Sequence, residues 1–195
     1  MPVAWDEIPL PWGKRTPAAP ASSDAAASFE EKDGAIVVTA GDRVVSIDKA
    51  RGVITSLRDK EEEWLLSPLH LNFWRPPTNN DRGAKLDHQL KTWQYAGTRA
   101  TADKVTATQD GKDVVVTAEL QIPANDSAAT VVYRISGAGE ISVDTEFRPG
   151  KGLPPIPRIG WEAQVPEKAL HWRWHGKGPG LDGTEARHVT MLCHG

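Results

Sequence analysis

The feature that most restricts the fold of this chain is a recurrence of short runs rich in Val, Ile and Thr, each closed by Gly, Asp, Asn or Lys. Runs of that length between turn residues are strands rather than helices. Residues 35–40 (AIVVTA) lead through Gly41-Asp42 into 43–48 (RVVSID), the pattern of two antiparallel strands on a tight turn. Residues 52–57 (GVITSL) supply a third strand. A later set covers 104–109, 113–121, 128–136 and 140–147, joined by Asp110-Gly111-Lys112, a longer loop around 123–127, and Gly137-Ala138-Gly139. Polar and apolar residues alternate in 114–120 (VVVTAEL) and 140–147 (EISVDTEF), as in strands with one wet and one buried face. No segment carries a sustained helical period with caps. The prediction is an all-β fold, an antiparallel β-sandwich with its sheets face to face.

At 195 residues the chain holds one sizeable domain, with room for part of a neighbour. Residues 1–13 (MPVAWDEIPLPWG) read as the last strand of a preceding domain, and 14–28, rich in Pro, Ala and Ser, as a linker. The sandwich is expected over 29–179. Residues 180–195 show no strand pattern and read as a divergent or frame-shifted tail. No apolar run reaches the roughly 20 residues of a membrane span, and the first twelve residues lack the basic start and apolar core of an export signal. With a formal net charge of −3 and no Lys/Arg stripe, nucleic acid is not an expected partner. A single cysteine, Cys193, cannot form an internal disulfide, and the expected location is the cytoplasm.

Eight tryptophans stand against two Tyr and three Phe. Composition favours a core role for them, with indole faces as sugar platforms the sharper alternative. The stretch 72–95 (NFWRPPTNNDRGAKLDHQLKTWQY) breaks the strand rhythm with paired prolines and an Asn/Asp/Gly turn. It is either a functional loop or a structural crossover pinned by Arg75 and Asp81.

Residues 72–83 (NFWRPPTNNDRG) closely resemble the Phe-x-Arg-x-Pro-x-x-Asn-Asp-x-Gly stretch that opens the C-terminal, small-chain domain of family-two β-galactosidases. PRIG at 157–160 and WHGKGP at 174–179 resemble two further signposts in the same order, and AWDEIPL at 4–10 resembles the closing strand of the immunoglobulin-like domain before it. The resemblance implies a large twisted sandwich, incomplete at its C-terminus, that packs beside a catalytic barrel and lends a loop to its active site. Asn80, Asp81 and Gly83 would form the substrate-side turn, Gly83 would be its hinge, Arg75 its anchor, and Trp74 and Trp93 are candidate sugar platforms. The family's Mg and Na ions are bound mainly by other domains, so no cofactor or metal is expected in this chain. After WHGKGP the family continues Glu-Asn-Tyr-x-Asp-Arg, whereas this chain reads GLDGTEARHVTMLCHG.

Retaining glycoside hydrolysis needs two carboxyl groups about 5–5.5 Å apart, one a nucleophile and one an acid/base. The resemblance places that pair on the barrel, so no catalytic residue is assigned here and the chain alone is expected to be inactive. Glu61, Glu62 and Glu63 read as a solvated run, Asp81 as a turn residue and Asp182 as part of the divergent tail, with a meeting of Asp81 and Glu162 in space left open. His171 and His175 (HWRWH) have the spacing of metal ligands on a helix, but alternation with Trp172 and Trp174 favours a strand. The expected function is a non-catalytic accessory domain of a β-galactosidase. Its partners would be that enzyme's remaining domains and β-galactosides, and the isolated chain is expected to self-associate. The alternatives are a stand-alone carbohydrate-binding module and a small autonomous β-galactosidase.

Overall fold

The computed structural model describes residues 25–168 with side chains other than that of Asp87, and 171–177 and 186–192 by backbone. The remnant strand expected at 1–13 and most of the linker lie outside these residues. The linker's last positions are already structured. Ala27 is buried, and its N–H donates to the Lys112 carbonyl at 2.8 Å.

Two antiparallel meanders form the sandwich. The first sheet runs β1 (Ser28–Lys32), β2 (Ala35–Ala40), β3 (Arg43–Asp48), β4 (Val53–Asp59) and β5 (Glu62–Glu63), in that spatial order. Its opening hairpin turns on Asp33-Gly34, both with positive φ, the conformation that Asp and Gly accept at least cost. The second sheet is β7 (Thr101–Asp110), β8 (Asp113–Ile122), β9 (Ser127–Ile135) and β10 (Ile141–Arg148), in the order β10-β9-β8-β7. The all-β sandwich expected from the strand rhythm is the observed fold.

Strict alternation fills the space between the sheets. Ile36, Val38, Val45 and Ile47 face Val114, Val116, Val131 and Ile135 in one buried cluster. Each such side chain stabilises the fold by about 1.5–3 kcal/mol through burial. The β3–β4 turn fastens one sheet to the other. The Tyr133 hydroxyl donates to the Gly52 carbonyl at 2.9 Å, and Ala102 N–H to the Ala50 carbonyl at 2.8 Å. Burial pushes the Tyr133 phenol well above its ordinary pKa, so it remains a donor. Gly52 has φ +64°, and a Cβ there would lie 2.6 Å from Leu120 Cδ2.

Three expectations are corrected. The alternation in β10 gives a face that is only half-buried: Ile141, Val143 and Phe147 pack against the core, but β10 is the outer edge of its sheet and none of its residues is fully covered. The tail read as lacking strands contains β13 (Ala186–Leu192), paired antiparallel with β12 (His171–Lys177). Its partner supplies the backbone hydrogen bonds, which the local pattern of 186–192 does not reveal. The stretch 72–95, expected as a loop or crossover with no helix, is partly helical. It holds α1 (Asn79–Gly83), α2 (Asp87–Leu90) and a 3-10 turn (Lys91–Trp93), each too short to display a helical period.

Candidate functional site

Between β5 and β7 the chain leaves the main sheets. β6 (His70–Asn72) pairs instead with β11 (Gly160–Glu162), placing the PRIG segment beside the NFWRPPTNNDRG segment. Successive residues of β6 point to opposite sides. Leu71 enters the core, whereas Asn72 lies on the outer side and its carboxamide donates to the Glu162 carboxylate. The other end of that carboxamide accepts the Trp74 N–H at 2.7 Å, fixing the chain as it leaves β6. Phe73 is fully buried, its ring centroid 4.7 Å from that of Phe147 and 5.7 Å from that of Trp93.

Arg75 is bonded to three separate points. Its Nε donates to the Pro157 carbonyl at 3.2 Å, its Nη1 to the Pro76 carbonyl at 3.3 Å, and its two terminal nitrogens grip Asp81 at 2.6 and 3.3 Å. Asp81 also closes a capping box on α1. Its Oδ2 accepts from the Thr78 N–H at 2.6 Å, and the Thr78 hydroxyl accepts the Asp81 N–H at 3.3 Å. The Arg75 guanidinium, then the Thr78 backbone and hydroxyl, hold the Asp81 carboxyl well below the usual carboxylate range. A carboxylate so committed cannot deliver a proton at neutral pH, and its chemistry is that of a fastener.

The Asn-Asp-x-Gly turn expected at 80–83 is therefore a capped helical turn, and the Thr78-x-x-Asp81 spacing was the signal for it. Gly83 is its last helical residue, exposed and without a positive φ, and nothing lies within 4 Å of the point where a Cβ would stand. The left-handed residue is Lys85, at φ 55°. Lys85 N–H bonds to the Arg82 carbonyl at 3.0 Å and Leu86 N–H to the Asp81 carbonyl at 2.9 Å, the pair of bonds that usually ends a helix on glycine. The conformational freedom assigned to Gly83 is thus not used there in this structure. The Asn80 side chain is exposed and forms no hydrogen bond among the described residues.

The aromatic candidates separate. Trp93 is fully buried and donates its Nε1 to the Pro154 carbonyl at 3.2 Å, so neither indole face is open to a sugar. Its place at the end of a short helical segment turned it into the core, where Phe73 and Phe147 cover it. Trp74 and Trp64 are half-buried, between the core role that composition favours and the open indole face of a sugar platform. Glu63 corrects the reading of 61–63 as a solvated run. It is half-buried and accepts from Ser56 Oγ and from the N–H groups of Leu57, Trp64 and Leu65. Burial opposes its charge, but those donors outweigh it and hold the carboxyl below its ordinary range. Asp81 and Glu162 thus spend their oxygens on different partners. Among the described residues no group of three His, Cys, Asp or Glu side chains could hold a metal ion.

The stretch that carries the clamp is also where comparison with known proteins is informative. A family model described as beta galactosidase small chain matches residues 39–181, from within β2 to beyond β12. The chain belongs to the β-galactosidase small-chain family. This small-chain domain is similar to a β-galactosidase of Priestia megaterium, 28% identical over 91% of the chain and 17% of the relative. It is similar also to the β-galactosidase BgaC of Bifidobacterium adolescentis, 31% identical over 76% of the chain and 15% of the relative. A β-galactosidase of Lactobacillus delbrueckii subsp. bulgaricus is 29% identical over 69% and 14%. The domain thus spans less than a fifth of the length of these curated relatives.

Proposed function

We propose that this small-chain domain is a non-catalytic accessory part of a retaining, family-two β-galactosidase. It would present α1, with Asn80 and Asp81 at its start and Gly83 at its end, to the galactoside side of a catalytic barrel formed by other parts of the polypeptide. The observation that carries this reading is the Arg75–Asp81 clamp. Three bonding directions at Arg75 and a capping box at Asp81 hold a five-residue helix rigidly on the outside of the sandwich, a construction suited to positioning a segment against a partner. The same bonds deprive Asp81 of acid/base use. Exposed Asn80 is left to make polar contact, and Gly83 would let α1 unwind if the loop moves on substrate entry.

The test uses the Priestia megaterium β-galactosidase with its matching segment replaced by this chain's residues. The purified small chain should leave a chromogenic β-galactoside intact, and the chimera should hydrolyse it. In the chimera Asn80→Ala should alter kcat and KM without abolishing turnover, since no reacting group is lost. Hydrolysis by the chain alone, at a rate unaffected by removing trace host enzyme, would overturn the accessory role.

A further inference from the structure

The β3–β4 turn, the chain entering β6 and the turn that follows the 3-10 segment meet around a cavity of about 170 Å³. That is below the roughly 300–1,000 Å³ of sites for drug-sized ligands and has room for about five waters at about 30 Å³ each. Its scale is that of one small ion. Arg51, Ser67, His70, Gly97 and Thr98 line it, and among the described residues no Asp or Glu does.

The hydrogen bonds around this wall leave donors over. The Arg51 guanidinium makes no hydrogen bond or ion pair among the described residues, and the Asp48 carboxylate bonds instead to the Arg51 backbone N–H at 2.7 Å. Ser67 Oγ accepts the Gln164 N–H at 2.8 Å, which leaves its own proton to donate. The successive N–H groups of Gly97 and Thr98 donate to nothing among the described residues. Gly97 is buried, and a buried N–H without a partner is rare, so this one calls for an acceptor from outside the chain. A Cβ at 97 would stand 1.6 Å from the Leu71 carbonyl oxygen, so the peptide that carries these donors is seated directly on β6. The neighbouring carbonyls are already supplied. That of Gly97 receives the Ala100 N–H at 3.2 Å, and that of Tyr95 receives the Arg99 N–H at 3.0 Å and the Thr98 hydroxyl at 3.2 Å.

Surplus donors and an unmatched positive charge select an anion. Successive backbone N–H groups beside a guanidinium are an oxyanion site, and the guanidinium bond is charge-assisted. The donors come from three separate segments, which the planar oxygens of a carboxylate meet poorly and a tetrahedral oxyanion meets on several sides. His70 donates Nδ1 to the Pro68 carbonyl at 3.0 Å, so in the neutral ring Nε2 is an acceptor for the O–H of a hydrogen phosphate. We propose that this cavity binds a phosphate group, free or at the end of a small phosphate ester. Arg51 is its charge partner, and the Ser67 hydroxyl and the N–H groups of Gly97 and Thr98 are its further donors. The bound group ties the β3–β4 turn to β6 and to the turn after the 3-10 segment, and the site is independent of the accessory role.

The test is a titration of the full chain with inorganic phosphate and, separately, with glycerol phosphate, followed by amide NMR shifts at constant ionic strength with sodium chloride as the control. Saturable shifts centred on Ser67, Gly97 and Thr98 are expected at about millimolar phosphate. Saturation by inorganic phosphate alone assigns the free ion, and saturation by the ester assigns a terminal phosphate group. Arg51→Ala removes an exposed side chain without a partner, so it should fold as wild type and weaken binding by about tenfold through loss of a charge-assisted bond. Arg58→Ala, on an exposed arginine of β4 outside the cavity, should leave the affinity unchanged. Failure to saturate by about 50 mM of either phosphate compound would overturn the site. So would equal shifts with chloride, unchanged affinity in Arg51→Ala, or the same loss in both variants.

Discussion

Arg75 and Asp81, six residues apart, face each other across the start of α1 with Nη1 2.6 Å from Oδ2, and the same oxygen receives the Thr78 N–H. The Asp81 side chain is only 13% exposed, so the contact is sheltered on the carboxylate side. One carboxylate thereby joins a turn of helix to the strand exit that precedes it and, through Arg75 and the Pro157 carbonyl, to the segment leading into β11.

The clamp predicts a specific pH dependence. The Asp81 pKa is depressed in the folded state, so its contribution is complete above the unfolded value of about 3.9 and is lost as pH falls toward the folded value. Asp81→Asn should lower the melting temperature by a constant amount between about pH 5 and about pH 8. The gap to wild type should shrink below about pH 4. A gap that persisted undiminished to about pH 2, followed by circular dichroism, would exclude the ion pair as its source.

At the other end of α1, Lys85 takes up the left-handed conformation that costs an L-residue about 1–2 kcal/mol. Lys85→Gly should therefore stabilise the protein, by about 1 kcal/mol in urea unfolding. Gly83→Ala should be neutral or slightly stabilising, since its Cβ meets nothing within 4 Å and its φ is not positive. The reverse ranking would show that Gly83, not Lys85, bears the unusual backbone.

The join between the sheets gives a third expectation. Tyr133→Phe leaves the Gly52 carbonyl without its buried donor and should cost about 1–3 kcal/mol. Gly52→Ala should cost more, because the new methyl would stand 2.6 Å from Leu120 Cδ2 and 2.8 Å from Ala118 Cβ at a φ that disfavours any side chain. Equilibrium denaturation with tryptophan and circular-dichroism probes measures both.

Glu63 supplies a fourth. Removing its carboxylate strands the N–H groups of Leu57 and Leu65, while Trp64 N–H keeps its bond to the Leu57 carbonyl at 2.8 Å, so Glu63→Ala should destabilise by about 1–2 kcal/mol in the same denaturation experiment. Glu61→Ala, on an exposed side chain, should be close to neutral. Because the Glu63 pKa is lowered on folding, its contribution should also fade as pH drops through the carboxylate range.

The sequence by itself determined the main strands of the two sheets, β2 to β4 and β7 to β10. Alternation in AIVVTA, VVVTAEL and AATVVYRIS specifies which side chains face inward, and the Gly/Asp turns specify hairpins, because both are local properties of the backbone. It also carried the family resemblance in NFWRPPTNNDRG and the reading of a crossover pinned by Arg75 and Asp81. Only the tertiary structure decided what each of those residues touches. Trp93 and Trp74 occupy similar aromatic-polar contexts in the sequence, yet one is sealed by Phe73 and Phe147 and the other stands at a cavity. Glu63 looks identical to Glu61 and Glu62 until three backbone N–H groups are folded around it. Gln94, far in the chain from Arg158 and Glu162, shares a cavity wall with them only through the pairing of β6 with β11. Burial and convergence are set by contacts distant in the chain, and no local spacing encodes them.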